Sequence, residues 1–276
     1  MPAVSAQMTI PAIPTRTFPA AGKPLASIPP QPPAAAARSV RLPPVTSTDG
    51  RTHPAAGYRQ HRFRPSPGAT ELLLVRHGES EPAHMDAPFP LTDGRADPAL
   101  AAEGAEQAEL VARRLAAGPA IDAIYVTSLR RTAQTAAPLA RLTGLTPRVE
   151  PELREVGLGD WEGGLYRKMV ADAHPVAVAM RAEERWDVIP GAEPSAEFAA
   201  RVRAAVTRLA AAHPGQRLAV FTHGGVIGQV LSLASGSRRF AFIGADNGSL
   251  SHLVVLGDEW VIRGFNDTAH LGPSWP

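Results

Sequence analysis

From residue 71 onward, short apolar runs alternate with longer stretches whose apolar residues recur every three or four positions. A run of four to eight apolar residues is typical of a buried strand, and the longer spacing is typical of a helix packed on one face. Gly144 is placed to end one helix, because glycine readily adopts the left-handed conformation of a helix C-terminus. The predicted strands are 71–76, 121–126, 217–222, 250–256 and 260–265, and the predicted helices are 100–116, 128–144, 195–213 and 223–234.

This alternation predicts an α/β protein. Strands that alternate with helices form a mostly parallel sheet with helices on both faces, so we expect a three-layer α/β/α sandwich. Only Gly-Asp-Glu, at 257–259, separates the last two strands, which predicts a hairpin and therefore late antiparallel pairing. We take residues 70–272 as one domain.

The first 68 residues have a different composition from the rest of the chain. They hold 14 of the 28 prolines and show neither helical nor strand periodicity. Such a Pro/Ala/Arg-rich segment buries too little apolar surface to offset its ordering entropy, so we predict a disordered tail over 1–68. Its low acid content resembles a transit peptide, but it lacks an amphipathic stretch. A plain extension, or a start codon assigned too early, explains it better than a targeting role.

Composition excludes several classes of function. Residues 1–70 carry eight Lys/Arg against one acid, a formal charge of +7, and the remainder carries 20 against 25, or −5. The predicted domain therefore has no net attraction for nucleic acid. The chain has no cysteine, which excludes disulfides, thiolate zinc sites and cysteine nucleophiles and suits a cytoplasmic protein. No run of about 18 apolar residues exists, so we expect no membrane span.

Histidines follow two of the predicted strands. Arg76 and His77 come directly after the strand 71–76, and His223 comes directly after 217–222. In open parallel sheets, ligands collect beyond the carboxyl ends of the strands, so we expect both imidazoles to reach one site. Each histidine is followed by glycine, which lets a ligand approach the backbone closely.

These motifs resemble those of the histidine phosphatase superfamily, also called the phosphoglycerate-mutase-like family. Arg-His-Gly at a strand end is weak evidence alone, but several motifs occur here in the family's order over about 200 residues. The resemblance implies a phosphoglycerate-mutase-like fold. The matching segments are LLLVRHGES (72–80), DPALAAEGAEQA (97–108), SLRRTAQTA (128–136), LREVGLGDWEG (153–163) and THGG (222–225).

The resemblance implies a nucleophile and two phosphate-binding arginines. The family's nucleophile falls on His77, which would form a phosphohistidine. Arg76 and Arg131 would bind the phosphate, because the planar guanidinium donates paired hydrogen bonds to its oxygens. Their charges would also keep His77 unprotonated before substrate arrives. Arg130 is the register alternative to Arg131.

The resemblance also implies a proton donor and a second histidine. The donor to the leaving alkoxide falls on Glu155, and the same carboxylate could later accept a proton from water. His223 would donate hydrogen bonds to the transferring oxygens. We expect specificity to lie in the loops 82–96, 165–192 and 244–249. The candidate substrate-binding residues are Ser80, Asn247 and Ser249.

Other residues near these motifs receive structural interpretations. Glu79 is expected to orient the arginines or cap the turn, and Trp161 to pack. Gln107 and Gln134 are expected on helix faces, in contact with solvent or with the residues that support the site. The segment 165–192, with Arg181, Arg185 and Trp186, is either a lid or a solvated helix face.

Three other interpretations fit part of this pattern. Two histidines and a glutamate can hold a metal ion, but two adjacent arginines would repel a divalent cation, so we predict no metal or other cofactor. A non-catalytic, phosphate-binding regulatory protein is less favoured, because every catalytic position of the family is filled. A mutase of this family generally has asparagine six residues after the nucleophile, where this chain has Ala83.

The sequence also suggests no segment that would keep a phosphoenzyme dry, as a mutase requires. We therefore predict a metal-independent phosphatase that acts on small phosphorylated metabolites through a phosphohistidine. A phosphoglycerate mutase is the alternative. The substrate and the oligomeric state stay open.

Overall fold

The computed structural model describes residues 60–272. Its strands are β1 (Thr70–Arg76), β2 (Leu91–Thr92), β3 (Arg95–Ala96), β4 (Ala123–Val126), β5 (Arg148–Val149), β6 (Arg217–Thr222), β7 (Leu250–Leu256) and β8 (Glu259–Asp267). Its helices are α1 (Ala102–Ala116), α2 (Arg130–Thr143), α3 (Leu165–Ala171), α4 (Pro175–Glu183), α5 (Ser195–Ala212) and α6 (Gly224–Ser235).

Six strands form one sheet in the order β5-β4-β6-β1-β7-β8. The pairs β5–β4, β4–β6 and β6–β1 are parallel, and the pairs β1–β7 and β7–β8 are antiparallel. The predicted fold class, with a mostly parallel sheet and late antiparallel pairing, is confirmed. The predicted hairpin lies where the sequence places it, between β7 and β8.

The alternation of side chains along β1 explains the three layers. Successive residues of a strand point to opposite faces of the sheet. Leu72 and Leu74 pack into the larger core with α5 and α6, whereas Leu73 and Val75 pack into the smaller core with α1 and α2. All four are buried, so β1 lies at the centre of the molecule and carries the site at its carboxyl end.

Most predicted elements begin or end within two residues of their observed limits. Gly144 ends α2 in the left-handed conformation, with φ of 72°, as expected. The helix predicted from 128 starts at Arg130, because Leu129 is still extended. The predicted loop 82–96 contains the hairpin β2–β3, whose turn residues Asp93 and Gly94 both have positive φ. An Asp-Gly pair is a strong signal for such a turn.

Only part of the predicted tail lies among the described residues. The interpretation of residues 1–59 falls outside them. Residues 60–68 are exposed and contain neither helix nor strand, and the first buried residue is Ala69. Within residues 60–272, no helix has the length and apolar character needed to cross a membrane.

Candidate active site

The two histidines predicted to converge lie side by side at the carboxyl ends of adjacent strands. Arg76 is in register with Thr222 of β6, and the backbone amide of His77 donates to the Thr222 carbonyl over 3.0 Å. The imidazole of His77 lies 5.2 Å, between ring centroids, from the imidazole of His223. Because β1 and β6 are parallel neighbours, both rings emerge at one edge of the sheet.

The hydrogen bonding of His77 fixes which nitrogen is free. Its Nδ1 lies 2.7 Å from the carbonyl oxygen of Gly78. A carbonyl only accepts hydrogen bonds, so Nδ1 carries the proton and Nε2 keeps its lone pair in the neutral ring. Burial, together with the guanidinium groups of Arg131 and Arg76, holds the pKa of His77 well below its usual range. His77 is therefore neutral at physiological pH, with Nε2 available as a nucleophile.

The backbone around His77 is held on several sides. The Gly78 amide donates to Thr135 Oγ1 over 3.0 Å, and the Asn247 side-chain amide donates to the His77 carbonyl over 2.9 Å. A Cβ atom at Gly78 would lie 2.3 Å from the carbonyl oxygen of Gly104, so only glycine fits between the strand end and α1. These contacts keep the His77 ring in one position.

The structure places Arg76 on the wall of a cavity above His77. Its Nη1 donates to the Ala245 carbonyl over 2.5 Å, and its buried Nε has no hydrogen-bond partner among residues 60–272. Burial lowers the pKa of Arg76, whereas the nearby Glu155 carboxylate opposes that shift. The unpartnered N–H groups are suited to an anion.

Arg131, and not Arg130, faces this cavity. The side chain of Arg131 is 8% exposed and donates to the Ala96 carbonyl over 2.8 Å, and its Nη1 lies 3.8 Å from Asp97 Oδ1. Burial lowers its pKa to about 10. The side chain of Arg130 is 45% exposed and binds the Asp97 carbonyl. Adjacent residues of a helix point about 100° apart, which separates the two arginines.

Glu155 lines the same cavity. Its Oε1 accepts from the Val156 amide over 3.0 Å, and its Oε2 accepts from the Gly225 amide over 3.2 Å. Gly225 lies in the first turn of α6, two residues after His223. The carboxylate is thus held by the same turn that carries the second histidine.

His223 is fully buried beside His77 and does not line the cavity wall. Its Nε2 lies 3.0 Å from Thr127 Oγ1, and its Nδ1 has no hydrogen-bond partner among the described residues. Burial and the Arg131 guanidinium hold the pKa of His223 well below its usual range. The His223 ring is therefore neutral beside His77, and its Nδ1 is free to form a hydrogen bond.

The cavity has a volume of about 490 Å³ and contains both charged and aromatic side chains. Its size is within the usual range of small-molecule sites. The charged and polar residues that line it are Arg76, His77, Glu79, Ser80, Arg95, Arg131, Glu155, Glu162, Arg167 and Asn247, and the aromatic ones are Phe89, Trp161, Tyr166 and Trp186.

Two of the three candidate substrate-binding residues lie on the cavity wall. Ser80 is buried, and its hydroxyl accepts from Arg167 Nη2 over 2.7 Å. Asn247 supports the His77 carbonyl, as described above. Ser249 is fully buried and does not line the cavity, which corrects the expectation that it faces the pocket. Its carbonyl accepts from the Arg76 amide over 3.1 Å, so its contact with the site is through the backbone.

Sequence reasoning missed Arg95 and Arg167. Arg167, in α3, donates to the Glu81 carbonyl over 2.7 Å and lies over the Phe89 ring at 5.2 Å. Arg95, in the β2–β3 hairpin, lies 3.2 Å from Glu193 Oε2. The signal for Arg95 was the Asp-Gly turn that creates this hairpin. Arg167 belongs to the predicted lid, but its register there cannot be read from a short helix.

The segment 165–192 forms part of the cavity wall. It contributes Tyr166, Arg167 and Trp186, whereas Arg181 and Arg185 do not line the cavity. Trp186 is buried and packs against Phe240 at 5.0 Å. This segment is therefore more than a solvated helix face, because α3 and the 3₁₀ turn Trp186–Val188 supply residues to one wall of the cavity.

The remaining motif residues support the site. Gln107 is buried and its Oε1 accepts from the Glu79 amide over 2.9 Å, and Gln134 accepts from the Leu100 amide over 3.0 Å. Glu79 lines the cavity and raises the pKa of Arg167, which burial lowers overall. Trp161 is buried, packs near Tyr166 at 6.4 Å and also lines the cavity.

Glu162 is a further cavity residue with a clear structural role. Its Oε2 accepts from the Ala96 amide over 2.6 Å and its Oε1 from the Leu158 amide over 2.8 Å. It therefore joins the hairpin that touches Arg131 to the loop that follows Glu155. Burial raises its pKa, although both backbone hydrogen bonds oppose that shift.

Metal ligation was the rival interpretation of His77, His223 and Glu155. Within residues 60–272, no group of three or more histidine or acidic side chains is arranged to hold a metal ion. The neighbours of these residues are two buried arginines, whose charges favour an anion.

Known proteins match most of the chain. The model of the histidine phosphatase superfamily (branch 1) matches residues 72–268. Phosphoglycerate mutase-like protein 4 of Arabidopsis thaliana is 32% identical over 204 residues, covering 73% of this chain and 86% of that protein. The metal-independent phosphoserine phosphatase of Arabidopsis thaliana is 31% identical over 206 residues, covering 73% and 83%.

A solved structure matches the fold over the same part of the chain. The native mycobacterial glucosyl-3-phosphoglycerate phosphatase is 28% identical, with a TM-score of 0.60, and the match covers 72% of this chain and 100% of that one. Relatives at about a third identity thus include proteins named as phosphatases. The family resemblance drawn from the motifs is confirmed, and the chain is an enzyme of the histidine phosphatase superfamily, branch 1.

Proposed function

We propose that this protein is a metal-independent phosphomonoesterase in which His77 carries the phosphoryl group. The observation that carries the proposal is the state of His77: Nδ1 donates to the Gly78 carbonyl, which leaves Nε2 unprotonated between two buried arginines. A neutral imidazole flanked by cations attracts a phosphate dianion and attacks its phosphorus.

The reaction has two steps. His77 Nε2 attacks phosphorus as the P–O bond to the alcohol breaks, and Glu155 gives its proton to the leaving oxygen. Water then attacks the phosphohistidine, Glu155 takes a proton from that water, and inorganic phosphate leaves. The second step breaks the bond between Nε2 and phosphorus and returns to Glu155 the proton that it gave up in the first step, so one full turnover restores neutral His77 and protonated Glu155.

Three groups would stabilise the transferring phosphoryl group. Arg76 and Arg131 bring two positive charges to the cavity, which suits oxygens that gain charge in the transition state. The free Nδ1 of His223 would donate a third hydrogen bond. Because these donors are buried and already oriented, little reorganisation accompanies the reaction.

A further cation on the cavity wall supports a substrate that is a small phosphorylated metabolite with a second anionic group. Arg167 lines the cavity and has no carboxylate partner within salt-bridge distance among residues 60–272; it is held by Ser80 and the Glu81 carbonyl. Phosphoserine and glucosyl-3-phosphoglycerate, named for two relatives, both carry a carboxylate besides the phosphate. A carboxylate-bearing phosphomonoester would therefore use Arg167 in addition to the two arginines that bind the phosphate.

A phosphoglycerate mutase is the second candidate. The walls supplied by 165–192 favour it, because a mutase must shield its phosphohistidine from water. Ala83 opposes it, since the mutases of the family generally carry asparagine there. A phosphate-binding regulatory protein without turnover is the third alternative, and nothing in the arrangement of His77, Arg76 and Glu155 favours it.

The test is a panel of phosphomonoesters that includes phosphoserine and 3-phosphoglycerate, with and without 2,3-bisphosphoglycerate. We expect release of inorganic phosphate from several compounds and no comparable interconversion of phosphoglycerates. The His77→Ala variant is the matched control for contaminating phosphatase. Bisphosphoglycerate-dependent isomerisation faster than phosphate release would establish the mutase, and phosphate binding without any turnover would establish the regulatory protein.

A cytoplasmic location is part of the same proposal. Its support is the substrate class, because small phosphorylated metabolites are highly charged and do not cross membranes unaided. The lack of cysteine is compatible with a reducing compartment. Fractionation of cells that express a tagged full-length chain tests it, and recovery with membranes or in the external medium would contradict it.

A further inference from the structure

A second cavity of about 290 Å³ lies on the sheet face that carries α1, beside β7 and β8. It shares no lining residue with the active-site cavity. Leu73 of β1, which lines it, precedes Arg76 by three residues, a spacing of roughly 10 Å along that strand. The lining residues are Leu73, Arg114, Leu115, Gly118, Pro119, Arg217, Leu250, His252, Arg263, Gly264 and Asp267.

The cavity holds more cations than acids. Of its three arginines, Arg114 has the closest carboxylate partner among residues 60–272 and is paired with both oxygens of Asp267. Arg217 lies 3.7 Å from Glu71 Oε1, and the other oxygen of Glu71 lies 2.9 Å from His252 Nε2. One carboxylate is therefore shared between two basic side chains.

Arg263 has no carboxylate partner among residues 60–272. Its guanidinium lies against the Phe63 ring, at 4.0 Å from the centroid. Stacking on an aromatic ring leaves the in-plane N–H groups of an arginine free to bind an acceptor. Arg263 therefore adds to the lining of the cavity a cation without a carboxylate partner in the described part of the chain.

Arg217 supplies an independent sign of a missing acceptor. Its Nε is buried and has no hydrogen-bond partner among the described residues. Buried donors are almost always paired in folded proteins, so an unpaired one beside a cavity indicates a ligand atom or a water. The carbonyl end of α1 lies near Gly118 and opposes an anion, but Arg113 and Arg114 in its last turn offset that dipole.

We propose that this second cavity binds the phosphate group of a small organic phosphate, at a site separate from the substrate site. Arg217 and Arg263 donate to the phosphate oxygens. Leu73, Leu115 and Leu250 provide an apolar wall for the organic part. The volume exceeds that of a bare phosphate ion, which favours a ligand with an organic body. The proposal does not depend on the reaction at His77.

The experiment follows the imidazole resonances of His252 in the full-length protein while phenylphosphonate, which is not hydrolysed, is added at constant ionic strength. His252 lines the second cavity and not the first, so active-site binding does not move its signals directly. We expect saturable shifts at millimolar or lower concentration. Inorganic phosphate in a parallel titration should bind at least tenfold more weakly, because it does not use the apolar wall.

Two variants make the result specific. Arg217→Gln combined with Arg263→Gln should remove the saturable shift, and Arg239→Gln, which changes an exposed arginine away from the cavity, should preserve it. Unchanged hydrolysis by both variants would show that they are folded. His252 signals that do not saturate, or that saturate equally in the double variant, would overturn the proposal. Equal affinity for phosphate and phenylphosphonate would overturn the organic-phosphate assignment.

Discussion

The backbone amide of Gly225 donates to Glu155 Oε2 over 3.2 Å, and a Cβ atom at position 225 would lie 2.5 Å from Glu155 Oε1. The Glu155 carboxylate therefore contacts the Gly225 backbone at a point where any side chain would displace it. Since Gly225 also lies in the turn that follows His223, the position of the Glu155 carboxylate is linked to the position of the second histidine.

This contact predicts that Gly225→Ala displaces Glu155. We expect kcat for an alkyl phosphomonoester to fall about 100-fold, a loss in the usual range for one misplaced catalytic group. The melting temperature should not fall, because alanine favours a helix more than glycine does. Gly224→Ala is the matched control, since its Cβ would lie at an ordinary 3.4 Å from Arg76 Nε. Equal kcat values for the two variants would contradict the account.

Substrates with different leaving groups can distinguish proton donation by Glu155 from an effect of its negative charge alone. Glu155→Gln keeps the shape of the side chain and removes its proton transfer. We expect kcat for alkyl phosphates to fall at least 100-fold, with a much smaller loss for nitrophenyl phosphate, whose leaving oxygen scarcely needs a proton. Equal losses on both substrates would remove Glu155 from the role of proton donor.

The adjacent arginines at the start of α2 give a matched pair of variants. Arg131→Gln removes a buried charge that faces the cavity, so we expect kcat/KM to fall by roughly 10²–10³, as when one transition-state donor is lost. Arg130→Gln changes a half-exposed side chain outside the cavity and should cost less than about tenfold. Steady-state kinetics checks both. A larger loss for Arg130→Gln would reverse the assignment.

The lowered pKa of the two buried histidines predicts the effect of acid on stability. His77 and His223 stay neutral in the folded state, whereas in the unfolded chain they titrate near pH 6.5. Below that pH the unfolded state binds more protons, so the free energy of unfolding falls, by about 1 kcal/mol per pH unit for each histidine. The loss continues until the pH passes the folded-state pKa.

Chemical denaturation between pH 7 and pH 5 measures this slope. We expect the free energy of unfolding to depend less steeply on pH in the double variant His77→Asn, His223→Asn than in the wild type, whatever the stability of each protein at pH 7.

The same lowered pKa of His77 places the acid limb of kcat/KM below pH 6.5, because only neutral imidazole attacks phosphorus. Parallel slopes, or an acid limb above pH 7 assigned to His77, would contradict the burial argument.

The sequence predicted the parts of the site that lie at the ends of long, buried strands. Arg76, His77 and His223 follow β1 and β6, whose apolar runs are long enough to read and whose parallel pairing brings their ends together. Glu155 has no such strand before it, and only the resemblance identified it. Its support by Gly225 depends on contact between segments 70 residues apart.

The rest of the cavity comes from elements too short to leave a pattern. β2 and β3 have two residues each, so no alternation marks them, and only the Asp93–Gly94 turn signals the hairpin that presents Arg95. To choose between Arg130 and Arg131, one must know at which residue α2 begins. An error of one residue in that start turns the predicted direction of each side chain by about 100°. Tertiary packing, not local sequence, decides such boundaries.

The most direct test of the central claim is to trap the phosphoenzyme. Rapid mixing of the protein with a labelled phosphomonoester, followed by alkaline quenching and peptide mass spectrometry, should find phosphate on Nε2 of His77, formed at least as fast as turnover. The His77→Ala variant should show neither label nor phosphate release, and a chelator such as EDTA should leave wild-type turnover unchanged. Full turnover by His77→Ala, label on another residue at a competent rate, or activity that a chelator abolishes and one metal restores would contradict the phosphohistidine mechanism.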